Sequence, residues 1–561
     1  MLSVMFGGYS SLLLLLASQG LAYTWPDAKV DHLEALLYQQ QQYHGSLVGS
    51  DVKWCFLTTF DLDELRAISG RLTAAEWIRV AYHDMATADV EAGTGGLDAS
   101  ISFETDRDEN VGPAFNSTMK QLYLSHSAKS SMADLIAMSV VLAVGSCSDG
   151  KVWLDYRGGR IDATEAGPLG VPEPHQGLEE HTEIFRKQGF NQEEMIGLVA
   201  CGHSVGGVHG SIFPQIVPVV DGPGNEASLH PFDSTAATFD NHVAVEFTEN
   251  STQNALAFGH NETTRSDHRI FTADGGNLIS RMAQDNDFYL ATCKNLLERM
   301  IDTVPKNVEL SGVIEPIATK PDYINIVVNE DGTLFVRGEI RTIQDEAIDR
   351  DSRQVVVHLK AGDKKISAET TWNGESLPFH ENRPSFDWWG FNATVPIAQG
   401  LSFDVEIIDG SDSKLETNGG NGFPLQTDII PQTSKSCSST TVKGPSTISV
   451  TAAVGVSYPS HQIRAVTDLI KILDESNFDS VILSVDVPHA QQNSLVPRIE
   501  PTPVEMKKTG VLEGTGYSLY SASLDFGAAF QGHLSYDVIG RRASGDSISE
   551  FNSFDSLGHC S

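Results

Sequence analysis

The sequence predicts a mainly α-helical N-terminal half, residues 23 to about 305, followed by a β-rich C-terminal half. In the first half, apolar residues recur at helical spacing. In the second half, short runs rich in β-branched residues, such as residues 354–359, alternate with turn residues. The chain has 561 residues, which is too long for one core, so several domains are expected.

The helix expected at Thr73 carries the first candidate for chemistry. Thr73 and Glu76 have the spacing of a capping box, and Arg79 and His83 then fall on one helical face. An imidazole one turn from a guanidinium can move a proton while the cation stabilises negative charge. The alternative is a surface arginine and histidine that happen to share a face.

A second capping pattern, Asn191 with Glu194, predicts a helix over residues 191–205. His203 falls on its apolar face, where a lone histidine is usually a core residue with a satisfied hydrogen bond. Asp267 could instead orient the His203 ring and raise its basicity, as a metal-binding imidazole requires.

The other expected elements define the domain organisation. We expect a β-sandwich over residues 308–435 and a second, β-rich module with one helix over residues 436–561. That one helix is marked by Ile463, Val466, Leu469 and Leu473. Further helices are expected over residues 31–43, 131–144 and 285–301. Strands are expected over residues 333–340, 354–359, 401–408, 446–456 and 481–487.

Charge and the N-terminus limit the partners and the location. The net charge is −36, which excludes nucleic acid as an expected partner because a phosphate backbone needs a basic surface. Residues 1–22 have the pattern of a secretory signal, whose apolar run is too short to span a membrane. Six cysteines and four glycosylation patterns, at Asn116, Asn250, Asn261 and Asn392, fit a secreted glycoprotein.

Five short motifs occur in order along the chain, at residues 79–84, 95–100, 200–205, 231–240 and 266–268. Together they resemble the motifs of the plant–fungal–bacterial haem peroxidases, most closely the secreted fungal, class II-like branch. The resemblance covers residues 30 to 305 and implies a mainly α haem-peroxidase domain over residues 23–305, with haem b as cofactor.

The resemblance also implies a role for individual residues. His83 would be the distal acid–base and Arg79 the distal charge stabiliser, with Asn110 and Glu104 as the pair that orients His83. His203 would be the axial iron ligand. The remaining implied residues of the haem pocket are Asp267, Tyr82 and Phe232.

Two Ca²⁺ sites are implied in the same way. The first set of oxygen ligands is Asp84, Gly96 (carbonyl), Asp98 and Ser100; the second is Ser204, Asp233, Thr235, Thr238 (carbonyl) and Asp240. Oxygen donors from short loops suit Ca²⁺. The alternative is that these are ordinary turn and cap residues.

The sequence departs from the specialised members of that branch. Leu72 and His209 accompany Glu76 where a manganese site would need carboxylates, and Leu198 stands where lignin-type enzymes carry a surface tryptophan. Tyr82 replaces an apolar ring beside His83. The resemblance also makes Cys55 the expected partner of Cys147. Cys201 and Cys293 are expected to be either free or disulfide-bonded. Cys437 and Cys560 could form a disulfide that closes the C-terminal part.

These features predict a secreted, monomeric haem peroxidase without membrane or nucleic-acid partners. It would reduce H2O2 through a ferryl intermediate and oxidise small, phenolic donors by one-electron steps. The alternative is an inactive peroxidase-fold protein that binds cell wall or carbohydrate through its C-terminal β domain. Trp372, Trp388 and Trp389 could form a sugar-stacking platform for that purpose, or they could be core residues.

Overall fold

The computed structural model describes residues 23–345, 347–398, 400–455, 478–529, 534–543 and 545–560. The predicted signal segment and the helix predicted around Val466 lie outside these residues. No helix in the described ranges is long and apolar enough to cross a membrane.

The described residues form eleven α-helices, all in the N-terminal half. They are α1 (Ala28–Tyr38), α2 (Thr73–Met85), α3 (Ala114–Tyr123), α4 (Met132–Cys147), α5 (Leu178–Lys187), α6 (Gln192–Gly202), α7 (His242–Thr248), α8 (Ala255–Phe258), α9 (Ser266–Phe271), α10 (Asn277–Gln284) and α11 (Asn286–Ile301). The helices predicted over residues 131–144 and 285–301 are confirmed as α4 and α11, and each begins at a side-chain cap, Ser131 or Asp285.

Two predicted helix ends are wrong. Thr73 is the first helical residue rather than the cap, and Glu76 accepts hydrogen bonds from Arg71 at 2.7 and 2.9 Å instead of closing a capping box. The Arg71 guanidinium therefore outcompeted the backbone N–H group for the Glu76 carboxylate. The capping box of Asn191 and Glu194 is confirmed, but α6 ends at Gly202, so His203 follows the helix as its C-cap.

The helix predicted over residues 31–43 is also too long. It ends at Tyr38, and the next residues form β1 (Gln41–Gln42), which pairs with a strand of the C-terminal half. The N-terminal half contains four further short strands: β2 (Thr58–Asp61), β3 (Arg66–Ser69), β4 (Gly207–His209) and β5 (Leu229–Pro231).

Two sheets follow α11. Their strands are β6 (Thr319–Val328), β7 (Thr333–Ile343), β8 (Arg353–Ala361), β9 (Lys364–Glu369), β10 (Thr371–Leu377), β11 (Phe386–Pro396), β12 (Ser402–Asp409), β13 (Asp412–Glu416) and β14 (Phe423–Pro424). One sheet has the order β1-β10-β11-β7-β6, and the other has β13-β12-β8-β9 with β14 beside β12. Val336, Val357 and Phe403 of the two sheets share one apolar core, as in a sandwich.

The described residues of the last part of the chain form ten strands: β15 (Ile429–Pro431), β16 (Cys437–Ser439), β17 (Ser446–Gly455), β18 (Ser480–His489), β19 (Arg498–Glu505), β20 (Lys507–Leu512), β21 (Tyr517–Phe526), β22 (Ser535–Arg541), β23 (Ser547–Ser553) and β24 (Gly558–His559). They form a six-stranded and a four-stranded sheet around a core that includes Ile448 and Leu483. The five predicted strands are all confirmed within the two β-rich regions.

The six cysteines form three disulfides, Cys55–Cys147, Cys201–Cys293 and Cys437–Cys560. Trp388 and Trp389 are buried in β11, so the core interpretation is confirmed for both. Trp372 is 40% exposed, but the Arg350 guanidinium lies 4.7 Å from its ring centroid. The three tryptophans therefore do not form one exposed platform.

A buried ionic group joins α1 to the first sheet. Glu34 of α1 accepts hydrogen bonds from Arg341 of β7 at 2.5 and 2.7 Å and from Lys320 of β6 at 2.8 Å. Burial alone would raise the pKa of Glu34, but the two cations outweigh it and lower the pKa to about 2. Removing one partner would leave an uncompensated buried charge, so the group fixes the helical half against the sheet.

Candidate active site

A cavity of about 680 Å³ lies among the helices, and its walls bring the two candidate histidines together. Arg79, Tyr82 and His83 reach it from α2, while His203 reaches it from the end of α6. Apolar side chains make up much of the remaining wall, among them Ile78, Val171, Phe185, Leu198, Phe232 and Leu256.

His83 is held by a short chain of hydrogen bonds. Its Nδ1 lies 2.7 Å from Asn110 Oδ1, and Asn110 Nδ2 donates to the Glu104 carbonyl at 3.0 Å. Glu104 thus contributes its backbone, whereas its carboxylate accepts from Gly167 N at 2.7 Å and pairs with Arg107 at 3.1 Å. Because Nδ1 is engaged, Nε2 is the ring nitrogen of His83 left for chemistry.

Burial, more than nearby charge, keeps the His83 imidazole neutral. Burial, with a further contribution from the Arg79 cation, lowers the pKa of His83 to about 3, although Asn110 opposes the shift. Burial lowers the pKa of Arg79 to about 10, so this side chain stays cationic near neutral pH. Its two terminal nitrogens each donate to the Val111 carbonyl at 3.2 Å, which fixes the guanidinium beside the cavity.

His203 is paired with a buried carboxylate. Its Nδ1 lies 2.8 Å from Asp267 Oδ2, which also accepts from Asn254 Nδ2 at 2.7 Å. Burial raises the pKa of Asp267, but the His203 charge and the hydrogen bonds outweigh it and leave the pKa below its ordinary value. The Phe232 ring stacks on the His203 ring with centroids 4.2 Å apart. His203 Nε2 is therefore the nitrogen available to a metal.

The cavity is also lined by the residues at which the sequence departs from the specialised fungal peroxidases: Leu72, Tyr82, Leu198 and His209. The Tyr82 hydroxyl donates to Gln188 Oε1 at 3.2 Å, and burial raises its pKa, so this phenol is held in its neutral form. Leu198 is only 3% exposed and is not a surface residue. Glu76 is already paired with Arg71, as described above.

The cavity residues fit a haem. His83 and His203 reach the same cavity, whose walls are largely apolar, and His203 has an acceptor on its second nitrogen, as metal-ligating histidines usually have. His203 would hold the iron, Asp267 would orient His203, and Phe232 and Tyr82 would contact the ring system.

Asp84, Asp98 and Ser100 of the first predicted calcium site lie close together, next to the end of α2 that carries His83. Asp84 accepts backbone hydrogen bonds from Ala99 at 2.8 Å and Ile101 at 2.9 Å, and Asp98 Oδ1 accepts from Ser100 N at 3.1 Å. The buried Ser100 hydroxyl has no hydrogen-bond partner among the described residues. Burial and the charge of Asp98 raise the pKa of Asp84 well above its ordinary value.

The residues of the second predicted calcium site lie around Ser204, the residue after His203. Ser204 Oγ donates to the Asp240 carbonyl at 2.7 Å, and Thr235 Oγ1 lies 3.1 Å from Asp240 Oδ1. Asp233 Oδ2 is buried without a partner in the described part of the chain. Thr238 donates its N–H to Thr235 O at 2.7 Å.

Both sets supply hard oxygens, including unpaired buried ones, and so fit Ca²⁺. Each contains only two carboxylates. Accordingly, no group of three or more His, Cys, Asp or Glu side chains is placed to hold a metal within the described ranges.

Sequence reasoning missed three residues of the site. Gln188, Asn254 and Val111 contact Tyr82, Asp267 and Arg79, respectively, across 106, 13 and 32 positions of the sequence. None of them belongs to a local pattern, so only the folded chain reveals them.

Comparison with known proteins agrees with this geometry. The family model described as "Peroxidase" matches residues 63–309. A "WSC domain-containing protein" from Arthroderma benhamiae is 34% identical over 526 residues, which is 92% of this chain and 65% of that protein. The alignment therefore includes the β-rich half as well.

Shorter matches involve proteins named as peroxidases. A "Putative heme-binding peroxidase" from Aspergillus fumigatus is 30% identical over 24% of this chain and 42% of its own length. "Putative L-ascorbate peroxidase 6" from Arabidopsis thaliana is 29% identical over 26% of this chain and 44% of its own length. The chain thus spans less than two thirds of the length of each of these relatives. Residues 63–309 carry a peroxidase-family domain.

Proposed function

We propose that this chain is a secreted haem peroxidase that reduces H2O2 and oxidises small phenolic donors. The observation that carries the proposal is the pair of histidines on one cavity. His83 has an amide oxygen at Nδ1, and His203 has a carboxylate at Nδ1. The first arrangement suits a proton acceptor, and the second suits an iron ligand. Three disulfides support an oxidising, extracellular location.

Each of these residues would have a distinct role in the reaction with H2O2. Bound haem would supply the iron that accepts oxidising equivalents from peroxide. His83 Nε2 takes a proton from one peroxide oxygen and delivers it to the other, which leaves as water. Arg79 stabilises the negative charge that develops as the O–O bond separates. Asn110 keeps His83 in the tautomer that allows this transfer.

Purified protein tests the proposal directly. We expect an absorption spectrum with a Soret band and a spectral change on adding H2O2. The competing function is carbohydrate binding by an inactive peroxidase fold. The similarity to a relative named as a WSC domain-containing protein supports this second candidate. Protein that binds haem but leaves H2O2 unchanged, while adsorbing to insoluble polysaccharide, would favour that competing function.

The charge of the cavity wall predicts which donors react. Besides the paired Glu76 and Asp267, its described residues include the carboxylates of Asp108, Glu109 and Glu173, but one guanidinium, Arg79, and no lysine. An anionic donor such as ascorbate should therefore be repelled relative to a neutral phenol of similar potential. We expect kcat/KM to favour the phenol by about tenfold at low ionic strength, with a smaller gap in salt.

A matched pair of charge changes checks this selectivity. Asp108→Asn removes a carboxylate from the cavity mouth and should raise kcat/KM for ascorbate about twofold to threefold, with little change for the phenol. Glu330→Gln makes the same charge change in the exposed β6–β7 turn and should alter neither donor. Equal effects of the two substitutions would contradict a local charge barrier.

We further propose that the two oxygen clusters bind Ca²⁺ and hold the two histidines in place. Removing calcium with EGTA should lower the melting temperature and the peroxide rate together, since a ligand that binds only the native state stabilises it. Adding Ca²⁺ back should restore both. Metal analysis that finds fully active protein without calcium would refute the proposal.

A further inference from the structure

The hairpin formed by β18 and β19 reaches from the last β-rich region to the helical half. Its tip, residues 490–497, lies against the 3-10 turn Ser100–Phe103. Ser494 Oγ lies 3.0 Å from Ser102 Oγ, and Leu495 N–H donates to Ser102 O at 3.1 Å. Val496 is 4% exposed and belongs to the apolar core of the helical half, not to the core of its own sheets.

The turn beneath the tip is tied to His83 on both sides. Before it and within it, the N–H groups of Ala99 and Ile101 donate to Asp84, the residue after His83. After it, the Glu104 carbonyl holds Asn110, and Asn110 holds the His83 ring. A shift of the turn would therefore move both the helix end that carries His83 and the amide that orients its ring.

The residue before the turn has a strained backbone. Ala99 has a φ of 61°, a left-handed conformation that a residue with a side chain adopts at a cost. Such a conformation persists only where the surroundings enforce it. A second cavity of about 350 Å³ is lined by Phe103 and Thr164 of the helical half and by hairpin residues that include His489, Gln491 and Arg498. The hydrogen bonds from the hairpin to the turn come from Ser494 and Leu495 of the tip.

We propose that the hairpin tip positions the distal site, with Ser494 and Val496 as positioning residues for His83. The C-terminal β region would then take part in the peroxide reaction without touching the substrate. The inference rests on the proposed function. The 34% identical relative is aligned through both halves, which agrees with a coupled unit.

Two valines offer a matched test. Val496 and Val487 are 4% and 5% exposed, but Val487 packs within the core of its own β-rich region. Val496→Ala should speed hydrogen exchange of the peptide covering residues 98–104 and slow the reaction with H2O2 about tenfold, because small misplacements of a catalytic group are costly. Val487→Ala should leave both unchanged. Haem content should be normal in both variants.

A second pair separates positioning from simple loss of stability. Ser494→Ala should also slow the peroxide reaction, whereas Ser494→Thr, which keeps the hydroxyl, should restore it; this pair decides the matter if Val496→Ala does not fold. Equal exchange over residues 98–104 in the Val496 and Val487 variants would overturn the proposal. Hydrogen exchange does not depend on peroxidase activity, so a wild-type protein inert to H2O2 would refute the proposed function alone.

Discussion

Replacing His83 with leucine should slow the reaction of the haem-loaded protein with H2O2 by about 10³- to 10⁴-fold. General acid–base catalysis contributes about 10²–10⁴-fold, and His83 would serve as both base and acid in one step. Its surroundings are suited to this use, because burial and Arg79 keep the ring neutral while Asn110 fixes Nδ1. Stopped-flow spectroscopy measures the step without knowledge of the natural donor.

Two further variants make the His83 result specific. Arg79→Leu should cost less, about 10²- to 10³-fold, since it removes one preorganised cation and leaves the proton acceptor. His32→Leu removes an imidazole from α1, outside the cavity lining, and should leave the rate near that of the wild type. All three should bind haem normally. A His83→Leu protein that reacts at the wild-type rate would place the proton acceptor elsewhere.

Local sequence signals predicted much of this site because its chemistry lies on short segments. Asn191 and Glu194 predicted the start of α6, and the strongly apolar run before Cys147 predicted α4. Arg79 and His83 share a helical face simply because they are four residues apart. Predictions of this kind depend on neighbouring residues, which the sequence displays directly.

The errors occurred where another side chain or strand took over a local interaction. Arg71 and Thr59 occupy the side chains that should have capped α2, and a strand pairing with β10 ends the first helix early. The contact between Ser494 and Ser102 joins residues 392 positions apart, and no periodicity in the sequence indicates it. Long-range pairs of this type fix the site but leave no local pattern.

Replacing His203 with alanine should abolish stable haem binding. His203 is the cavity histidine whose Nδ1 is engaged by a buried carboxylate, so its Nε2 is the nitrogen prepared for iron. We expect no Soret band in the purified variant and no haem in a pyridine haemochrome assay. Asp267→Asn should retain haem but bind it about 10- to 100-fold more weakly, because the carboxylate orients the ligand without touching the metal.

The neighbouring histidine provides the control for His203. His209 lines the same cavity, so His209→Ala makes a similar loss of volume and of one imidazole but should keep haem. Added imidazole should restore a Soret band to the His203→Ala protein by entering the space that the side chain vacates. Full haem occupancy in His203→Ala without imidazole would show that another residue holds the iron, and the assignment of the whole proximal side would fail with it.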